Sequence, residues 1–131
     1  MTVIELPRPT VDEYVNLRRS VSWRIPAARD VERSLEATTF SAIATDGATV
    51  VGLGRVVGDG AFYNFVVDLI VRPEAQGRGV GRLLLSTLER EAARRSSTGV
   101  LQLVADQDVT PFYESLGYVR PGSNLLSKRF G

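Results

Sequence analysis

The 131-residue chain contains no cysteine and no histidine. The lack of cysteine excludes disulfides, a thiol nucleophile and thiolate metal ligands. The lack of histidine removes the commonest general base and the commonest zinc ligand, so neither Ser-His-Asp hydrolysis nor zinc hydrolysis is expected. Any acid–base chemistry must therefore use Asp, Glu, Tyr, Lys, backbone groups or water, and we predict no metal site.

Excess charge of one sign and long apolar runs are also missing. The net charge is +1, which provides no basic field, so no nucleic acid or membrane partner is predicted. The first residues, MTVIELPRP, lack a signal-peptide pattern, and no apolar run reaches the length of a membrane span. The length favours one domain over residues 1–131 with a single core, and we expect a cytoplasmic protein.

The most informative segment runs from Tyr63 to Glu91. The apolar, β-branched run Phe65–Val71 predicts a strand with one carboxylate, Asp68, inside it, and Arg72-Pro73 ends that strand. The glycine-rich loop QGRGVG follows and leads into a helical apolar pattern. A glycine loop that opens a helix leaves several backbone N–H groups free for one anion, and the helix dipole adds positive potential there. The segment therefore predicts a strand, a phosphate-binding loop and a helix.

Two common phosphate loops do not fit this segment. A P-loop needs Gly-Lys followed by Ser or Thr, but the only lysine in the chain is Lys128. A dinucleotide fingerprint needs G-x-G-x-x-G directly after the strand, whereas here the spacing is G-x-G-x-G and Arg72 to Gln76 intervene. A bare G-x-G-x-G would more often be a flexible turn before an ordinary amphipathic helix. The surrounding strand, the arginine-proline stop and the helix together favour anion binding.

The rest of the chain predicts a mixed α/β domain. Thr10 and Glu13 form a capping box at the start of a first helix, and a second helix follows. Three strands joined by the turns at Asp46-Gly47 and Gly58–Gly60 imply an antiparallel meander, and the strand after the long helix runs parallel to its predecessor. The predicted strands are Val3–Leu6, Phe40–Thr45, Thr49–Val57, Tyr63–Val71, Val100–Val104, Tyr118–Val119 and Leu125–Phe130; the predicted helices cover residues 27–37, the stretches after Thr10 and after the glycine loop, and Thr110 to Gly117.

The glycine loop resembles the acyl-CoA pyrophosphate loop of the GCN5-related N-acetyltransferase (GNAT) family. That loop reads Gln/Arg-x-x-Gly-x-Gly/Ala after a strand, and Gln76, Gly79 and Gly81 fill its specified places. The segment PFYESLGY, from Pro111 to Tyr118, is similar to the family's F-Y-x-x-x-G-F/Y segment. The predicted order β-α-α-β-β-β-α-β-α-β-β is also that of the family. The resemblance covers essentially the whole chain and implies a single-domain GNAT fold: a central mixed, mostly antiparallel sheet with helices on both faces.

The resemblance implies acetyl-CoA as cosubstrate and a way to hold it. The pantetheine arm would pair with the backbone of Leu69 and Val71, in a gap between the strand at Asp68–Val71 and the one at Leu101–Val104. The acetyl carbonyl would lie near the backbone of Ile70, where an N–H group can stabilise developing charge. The Arg78 side chain either adds charge or points into water. The implied pyrophosphate contacts are Gln76, Gly77, Arg78, Gly79, Val80, Gly81 and Arg82.

Two side chains are candidates for catalysis. The resemblance implies that Tyr113 is the general acid that protonates the departing CoA thiolate, and its ordinary pKa of about 10 keeps it protonated. From spacing alone, Phe112 and Tyr113 could equally be core aromatics. Asp68 is the carboxylate nearest the reacting centre, although some members carry the acidic residue one position earlier, where this chain has Val67. Asp68 is therefore a direct base, the holder of a water chain, or a structural group where the strand bulges.

The acceptor pocket is expected to come from the first two helices, their connection and the hairpins. Trp23 either stacks on a substrate or covers the core. The resemblance implies an N-acetyltransferase that acts by direct attack in a ternary complex on a primary amine, with a homodimer suggested by analogy. A small-molecule amine (a metabolite, an antibiotic or a polyamine) is the favoured acceptor, and a peptide N-terminus or a lysine stays open. The alternative is a non-catalytic acyl-CoA-binding or regulatory module with the same fold. The candidate acceptor residues are Tyr14, Arg18, Trp23, Arg24, Arg55 and Tyr63.

Overall fold

The structure is a computed structural model that describes residues 2–97, 99–105, 108–120, 126 and 128. The order of helices and strands agrees with the prediction as far as the short helix at Thr110, and most boundaries agree within one or two residues. The elements are β1 (Thr2–Glu5), α1 (Val11–Ser20), α2 (Ala28–Glu36), β2 (Phe40–Asp46), β3 (Thr49–Gly58), β4 (Asn64–Val71), α3 (Val80–Arg95), β5 (Gln102–Leu103) and α4 (Thr110–Ser115), with a 3-10 turn at Pro73–Ala75.

The five strands form one open sheet in the order β1-β2-β3-β4-β5. Strands β1 to β4 pair antiparallel, so the predicted meander is confirmed. Strands β4 and β5 pair parallel, as expected for a strand–helix–strand crossover through α3. The predicted capping box is also confirmed, because the Thr10 side chain accepts a hydrogen bond from the Glu13 amide at 3.1 Å and the Glu13 carboxylate accepts one from the Thr10 amide at 2.8 Å.

The prediction of a strand at Tyr118–Val119 is wrong. The amide of Tyr118 donates to the carbonyl of Tyr113 at 3.1 Å, and Gly117 has a left-handed φ of +94°. This is the C-terminal cap of α4, so these residues close a helix instead of joining a ladder. The strand predicted at Val100–Val104 is shortened to Gln102–Leu103. The strand predicted at Leu125–Phe130 lies outside the described residues, apart from Leu126 and Lys128.

Helices cover both faces of the sheet, as predicted. On one face, α3 comes so close to β3 that a Cβ at Gly54 would lie 2.7 Å from Leu88 Cδ1. On the other face, α1 and α2 enclose a second cluster: Tyr14, Leu17, Val31, Leu35, Leu53 and Ile70. In the described part of the chain, no helix has both the length and the apolar content needed to span a bilayer.

A β-bulge in β4 changes which face its side chains occupy. Arg55 pairs with Asp68 and Val56 pairs with Val66, so Val67 is an extra residue on β4. Val66 packs into the cluster beneath α3, whereas Ile70 packs beneath α1 and α2. The bulge therefore turns the carboxylate of Asp68 toward α1.

Candidate active site

A cleft of about 680 Å³ opens where β4 and β5 separate. The two strands pair only at Phe65–Gln102 and Val66–Leu103, and no further pair forms between them in the described part of the chain. The later residues of β4, the loop before α3, and α4 form its walls. Most of the predicted acetyl-CoA contacts line this cleft: Leu69, Val71, Gln76, Gly77, Gly79, Val80, Gly81 and Arg82.

The other two predicted cofactor contacts, Ile70 and Arg78, are not among the residues that line the cleft. The Ile70 side chain is buried beneath α1 and α2, although the prediction concerned its backbone. Arg78 is exposed and is not among the residues that line the cleft. The glycines around Arg78 therefore contribute to the cleft wall, while its side chain does not.

The loop Gln76–Arg82 forms one end of the cleft, which we call the amide end. Gly77 and Gly79 have left-handed φ angles of +77° and +81°, and Gly79 caps α3 without a side-chain hydrogen bond. The first intrahelical bond joins the Leu83 amide to the Gly79 carbonyl at 3.0 Å, so the amides from Gly77 to Arg82 have no acceptor among the described residues. The first turn of α3 contains no acidic residue. An anion at this end would meet several N–H groups and the positive end of the helix dipole.

The glycines of the amide end serve backbone geometry more than packing. A Cβ at Gly77 or Gly79 would find nothing within 4 Å, so these positions need glycine for their φ angles. A Cβ at Gly81 would make ordinary contacts of 3.7 Å with Phe112 and 3.8 Å with Val71. The Gln76 side chain donates to the Val71 carbonyl at 2.9 Å and ties the loop to the end of β4. These residues fit an anionic ligand such as a pyrophosphate.

Tyr113 lies in α4 and lines the cleft. Its ring packs edge-on against Phe112 at 5.1 Å and against Tyr118 at 5.9 Å between ring centroids. Its hydroxyl group makes no hydrogen bond to another described residue, whereas the Tyr118 hydroxyl donates to Glu89 at 2.9 Å. Burial raises the pKa of Tyr113 above its ordinary value, so the hydroxyl remains a proton donor at neutral pH.

Asp68 is at the centre of a buried polar network. Its Oδ2 accepts hydrogen bonds from the Tyr14 hydroxyl and from Arg55 Nε, both at 2.9 Å. Its Oδ1 lies 3.7 Å from Arg18 Nη1. Burial and the negative charge of Asp68 raise the pKa of Tyr14, so Tyr14 stays protonated and donates. The network holds α1 against β3 and β4 through charged groups.

Trp23 is positioned by the C-terminus of α1. The Ser22 amide donates to the Arg19 carbonyl at 3.1 Å, and the Trp23 amide donates to the Arg18 carbonyl at 2.9 Å. This is a Schellman motif, in which the residue at the Ser22 position is usually glycine because its φ is positive. Ser22 has φ +61° and is the only non-glycine residue with a positive φ in the described part of the chain. The motif stacks Trp23 on the Arg18 guanidinium, 5.4 Å from the indole centroid.

The end of the cleft beside Asp68 is formed by Trp23, Val67, Asp68 and Val104, and we call it the tryptophan end. All four residues line the cleft. Val66 pairs with Leu103, so Val67 and Val104 are the next residues along each strand, where the strands begin to separate. Sequence patterns did not indicate Val104, because an apolar residue at a strand end has no distinctive signal.

Of the six predicted acceptor residues, only Trp23 is among the described residues that line the cleft. Tyr14 and Arg18 belong to the network around Asp68. Arg55 is buried, and besides Asp68 it donates to the Ser34 carbonyl and the Thr38 hydroxyl. Arg24 takes part through its carbonyl, which accepts from Arg18 Nε at 2.8 Å. Tyr63 is 61% exposed at the turn before β4. Within the described residues, no three acidic side chains come together as a metal site.

Comparison with known proteins identifies the family. The family model described as "Acetyltransferase (GNAT) domain" matches residues 22–129. GCN5-related N-acetyltransferase 2, chloroplastic, of Arabidopsis thaliana is 38% identical over 69 residues, which are 53% of this chain, and the match spans only 26% of that protein.

Solved structures agree with that match along the whole chain. A "Probable Acetyltransferase" of meticillin-resistant Staphylococcus aureus has a TM-score of 0.87 at 25% identity, over 99% of this chain and 100% of that one. A GNAT family acetyltransferase of Streptococcus pneumoniae TIGR4 has a TM-score of 0.83 at 26% identity, over 98% of each chain. None of these three names states an acceptor. With its mixed five-stranded sheet and the family match over most of its length, this chain belongs to the GNAT acetyltransferase family.

Proposed function

We propose that this protein transfers the acetyl group of acetyl-CoA to the primary amine of a small-molecule acceptor, by direct attack in a ternary complex. The observation that carries the proposal is the amide end: its N–H groups from Gly77 to Arg82 have no acceptor among the described residues, and most of this loop lines the cleft where β4 and β5 stop pairing. A pyrophosphate and an extended arm are the two parts of CoA that such an arrangement suits. Family membership supports the same cosubstrate.

The amide end would hold the pyrophosphate through the amides from Gly77 to Gly81, since the Gln76 amide donates to the Pro73 carbonyl, and Arg82 would add positive charge. Arg82 is the only basic side chain among the described residues that line the cleft. Beyond the loop, the backbone of Leu69 and Val71 would pair with the pantetheine arm, since β5 no longer pairs with β4 there. The amide of Ile70 is our candidate donor to the acetyl carbonyl oxygen, where negative charge develops during attack.

Bound acetyl-CoA supplies a thioester whose leaving group is a thiolate. Tyr113 would donate its hydroxyl proton to that sulfur. Its position in the cleft wall, the absence of a hydrogen-bond partner among the described residues and its raised pKa support this role.

Replacing Tyr113 with phenylalanine tests the acid role. We expect kcat to fall by about a hundredfold, at the low end for general acid–base catalysis, with the Kd for acetyl-CoA within twofold of wild type. Tyr118→Phe is the matched control, because it also removes a tyrosine hydroxyl from the same aromatic cluster but one that donates to Glu89. An equal fall in kcat for both variants would contradict the assignment.

Asp68 would position groups and would not remove the acceptor's proton. Its Oδ2 already accepts two hydrogen bonds, and its charge faces Arg55 and Arg18. These contacts and the burial of Asp68 leave its carboxylate little access to an ammonium group in the cleft. The proton of the acceptor ammonium would therefore pass to water in the open cleft.

Thermal unfolding with acetyl-CoA, CoA, ATP and NADH tests the cofactor. A ligand at a hundredfold excess over its Kd adds about 2.7 kcal/mol to the free energy of unfolding, which raises the melting temperature measurably. We expect a shift with acetyl-CoA and with CoA. A shift with only ATP or NADH, or with none of the four, would contradict the proposal. Binding of acetyl-CoA without acetylation of any amine in a broad panel would favour a non-catalytic acyl-CoA-binding module.

A further inference from the structure

We propose that the acceptor is a primary amine with a flat apolar body and no second cationic group, bound at the tryptophan end of the cleft. This inference rests on the proposed acetyl transfer and narrows its acceptor. It depends on three features of the molecule: exposed apolar side chains, a strained turn and a local excess of positive charge.

The apolar surface comes from three side chains that are not needed for the core. Trp23, Val67 and Val104 are 41%, 43% and 67% exposed, and all three line the cleft. Val67 and Val104 flank the point where β4 and β5 separate, which is where an amine must enter to reach a thioester lying along β4. An apolar acceptor body would remove these surfaces from water, at about 25 cal/mol for each Å² buried.

The turn before Trp23 indicates that the indole position matters. Ser22 adopts a left-handed conformation, which costs about 1 kcal/mol or more in residues other than glycine. The turn directs Trp23 back over Arg18, and the guanidinium supports one side of the indole at 5.4 Å. Backbone strain that persists at a cleft is a recognised sign of a functional constraint. A supported, half-exposed indole suits stacking on a flat ligand.

The charges at the tryptophan end disfavour a second ammonium group. Asp68 is the only charged side chain that lines this end among the described residues, and it is 5% exposed. It is matched by Arg55 at 2.9 Å and by Arg18 at 3.7 Å, so the three groups together carry a net positive charge. Among the described residues, a diamine or polyamine would find no carboxylate at this end without an arginine partner, and its remote ammonium would be repelled by the excess positive charge. A monoamine, which loses its proton before attack, avoids this cost.

Tryptophan fluorescence tests the inference without turnover, because Trp23 is the only tryptophan in the chain. The probes are 2-phenylethylamine and putrescine, titrated against the CoA-saturated protein. We expect 2-phenylethylamine to change the emission of Trp23 with saturable binding, and putrescine to bind at least tenfold more weakly, a difference of about 1.4 kcal/mol. Equal or tighter binding of putrescine, or no saturable signal with 2-phenylethylamine, would overturn the inference.

Steady-state kinetics with Trp23→Ala separate the inference from the proposed function. We expect kcat/KM for 2-phenylethylamine to fall about tenfold or more, with the Kd for acetyl-CoA unchanged. Phe62→Ala is the matched control, since Phe62 is equally exposed or more so but lies outside the cleft. Faster acetylation of putrescine than of 2-phenylethylamine would refute the inference and leave acetyl transfer standing. Saturable 2-phenylethylamine binding without acetylation of any amine would refute acetyl transfer and leave the apolar amine site standing.

Discussion

The two ends of the cleft are built on different principles. The amide end uses seven consecutive residues, Gln76–Arg82, and its candidate ligand groups are mainly backbone amides that glycine conformations expose. The tryptophan end uses side chains from the turn after α1, from β4 and from the chain just after β5. Beneath it, Arg55 from β3 and Tyr14 and Arg18 from α1 hold Asp68.

This difference indicates which end of the cleft members of a family can share and which end can vary from one member to another. A backbone site tolerates many side-chain changes, because most residues supply the same N–H group. A side-chain site changes its ligand with each substitution. The amide end therefore suits a cosubstrate common to the family, and the tryptophan end suits an acceptor particular to this protein.

The largest expected effect comes from breaking the network beneath the tryptophan end. Asp68→Asn removes the negative charge that compensates the buried Arg55, and we expect a loss of about 3 kcal/mol in the free energy of unfolding, measured by urea denaturation. Asp59→Asn is a matched control on an exposed loop, where Asp59 accepts hydrogen bonds from the amides of Ala61 and Tyr63. A loss below about 1 kcal/mol for Asp68→Asn would show that the network adds little to stability.

A smaller effect is expected from altering the backbone at the amide end. Gly79→Ala places a Cβ in open space but in a left-handed conformation, so we expect a loss of about 1–2 kcal/mol in the free energy of unfolding and weaker binding of acetyl-CoA by calorimetry. Gly81→Ala is the control, since Gly81 is helical and its Cβ would make only ordinary contacts. That substitution should stabilise the protein by up to about 1 kcal/mol. Changes of the same sign in the free energy of unfolding for Gly79→Ala and Gly81→Ala would contradict this account.

Glu91 lies near the C-terminus of α3 and is not part of either end of the cleft. The pH dependence of its contribution to stability therefore serves as a reference for the two ends. Hydrogen bonds from Arg94 and Arg95 hold the pKa of buried Glu91 at about 2, well below its ordinary value. Because the folded pKa is depressed, the stabilisation is fully present above about pH 4.5 and is lost as pH falls toward 2. Exposed Arg94 is screened by water, so we expect wild type to lose about 1 kcal/mol more than Glu91→Gln between pH 6 and pH 2. A difference in the free energy of unfolding between wild type and Glu91→Gln that does not change with pH would refute this prediction.

The smallest expected effect concerns the turn that positions Trp23. Ser22→Gly relieves the left-handed strain, and we expect the free energy of unfolding to rise by about 0.5 kcal/mol once the greater entropy of unfolded glycine is subtracted. Ser20→Gly, in the last turn of α1, is expected to lower it by a similar amount. Thermal unfolding of the two variants measures both signs, and destabilisation by Ser22→Gly would show that the turn is not strained.

The sequence predicted the fold and the amide end because their signals are local. Gly77 and Gly79 adopt the left-handed conformations typical of a glycine loop before a helix, and Thr10 and Glu13 form the predicted capping box. The sequence could not place Arg55, which was predicted at the acceptor site but is buried against Asp68 through the register of β3 and β4. The sequence also led to the wrong prediction of a strand at Tyr118. The Tyr118 amide donates to the Tyr113 carbonyl in the helix cap at Gly117, so it is not available to a neighbouring strand.

The short pairing of β5 with β4 also bears on self-association. Unpaired strand edges are templates on which other chains add strands and aggregate. Here the edge of β4 beyond Val66 has no paired strand among the described residues. It lies in a cleft bordered by α4 on one side and Trp23 on another, so a strand of a second molecule would have to displace these groups to reach it. A narrow extended ligand needs no such displacement. The groups that border the cleft thus let the protein keep an open sheet edge for a small molecule while shielding that edge from its own copies.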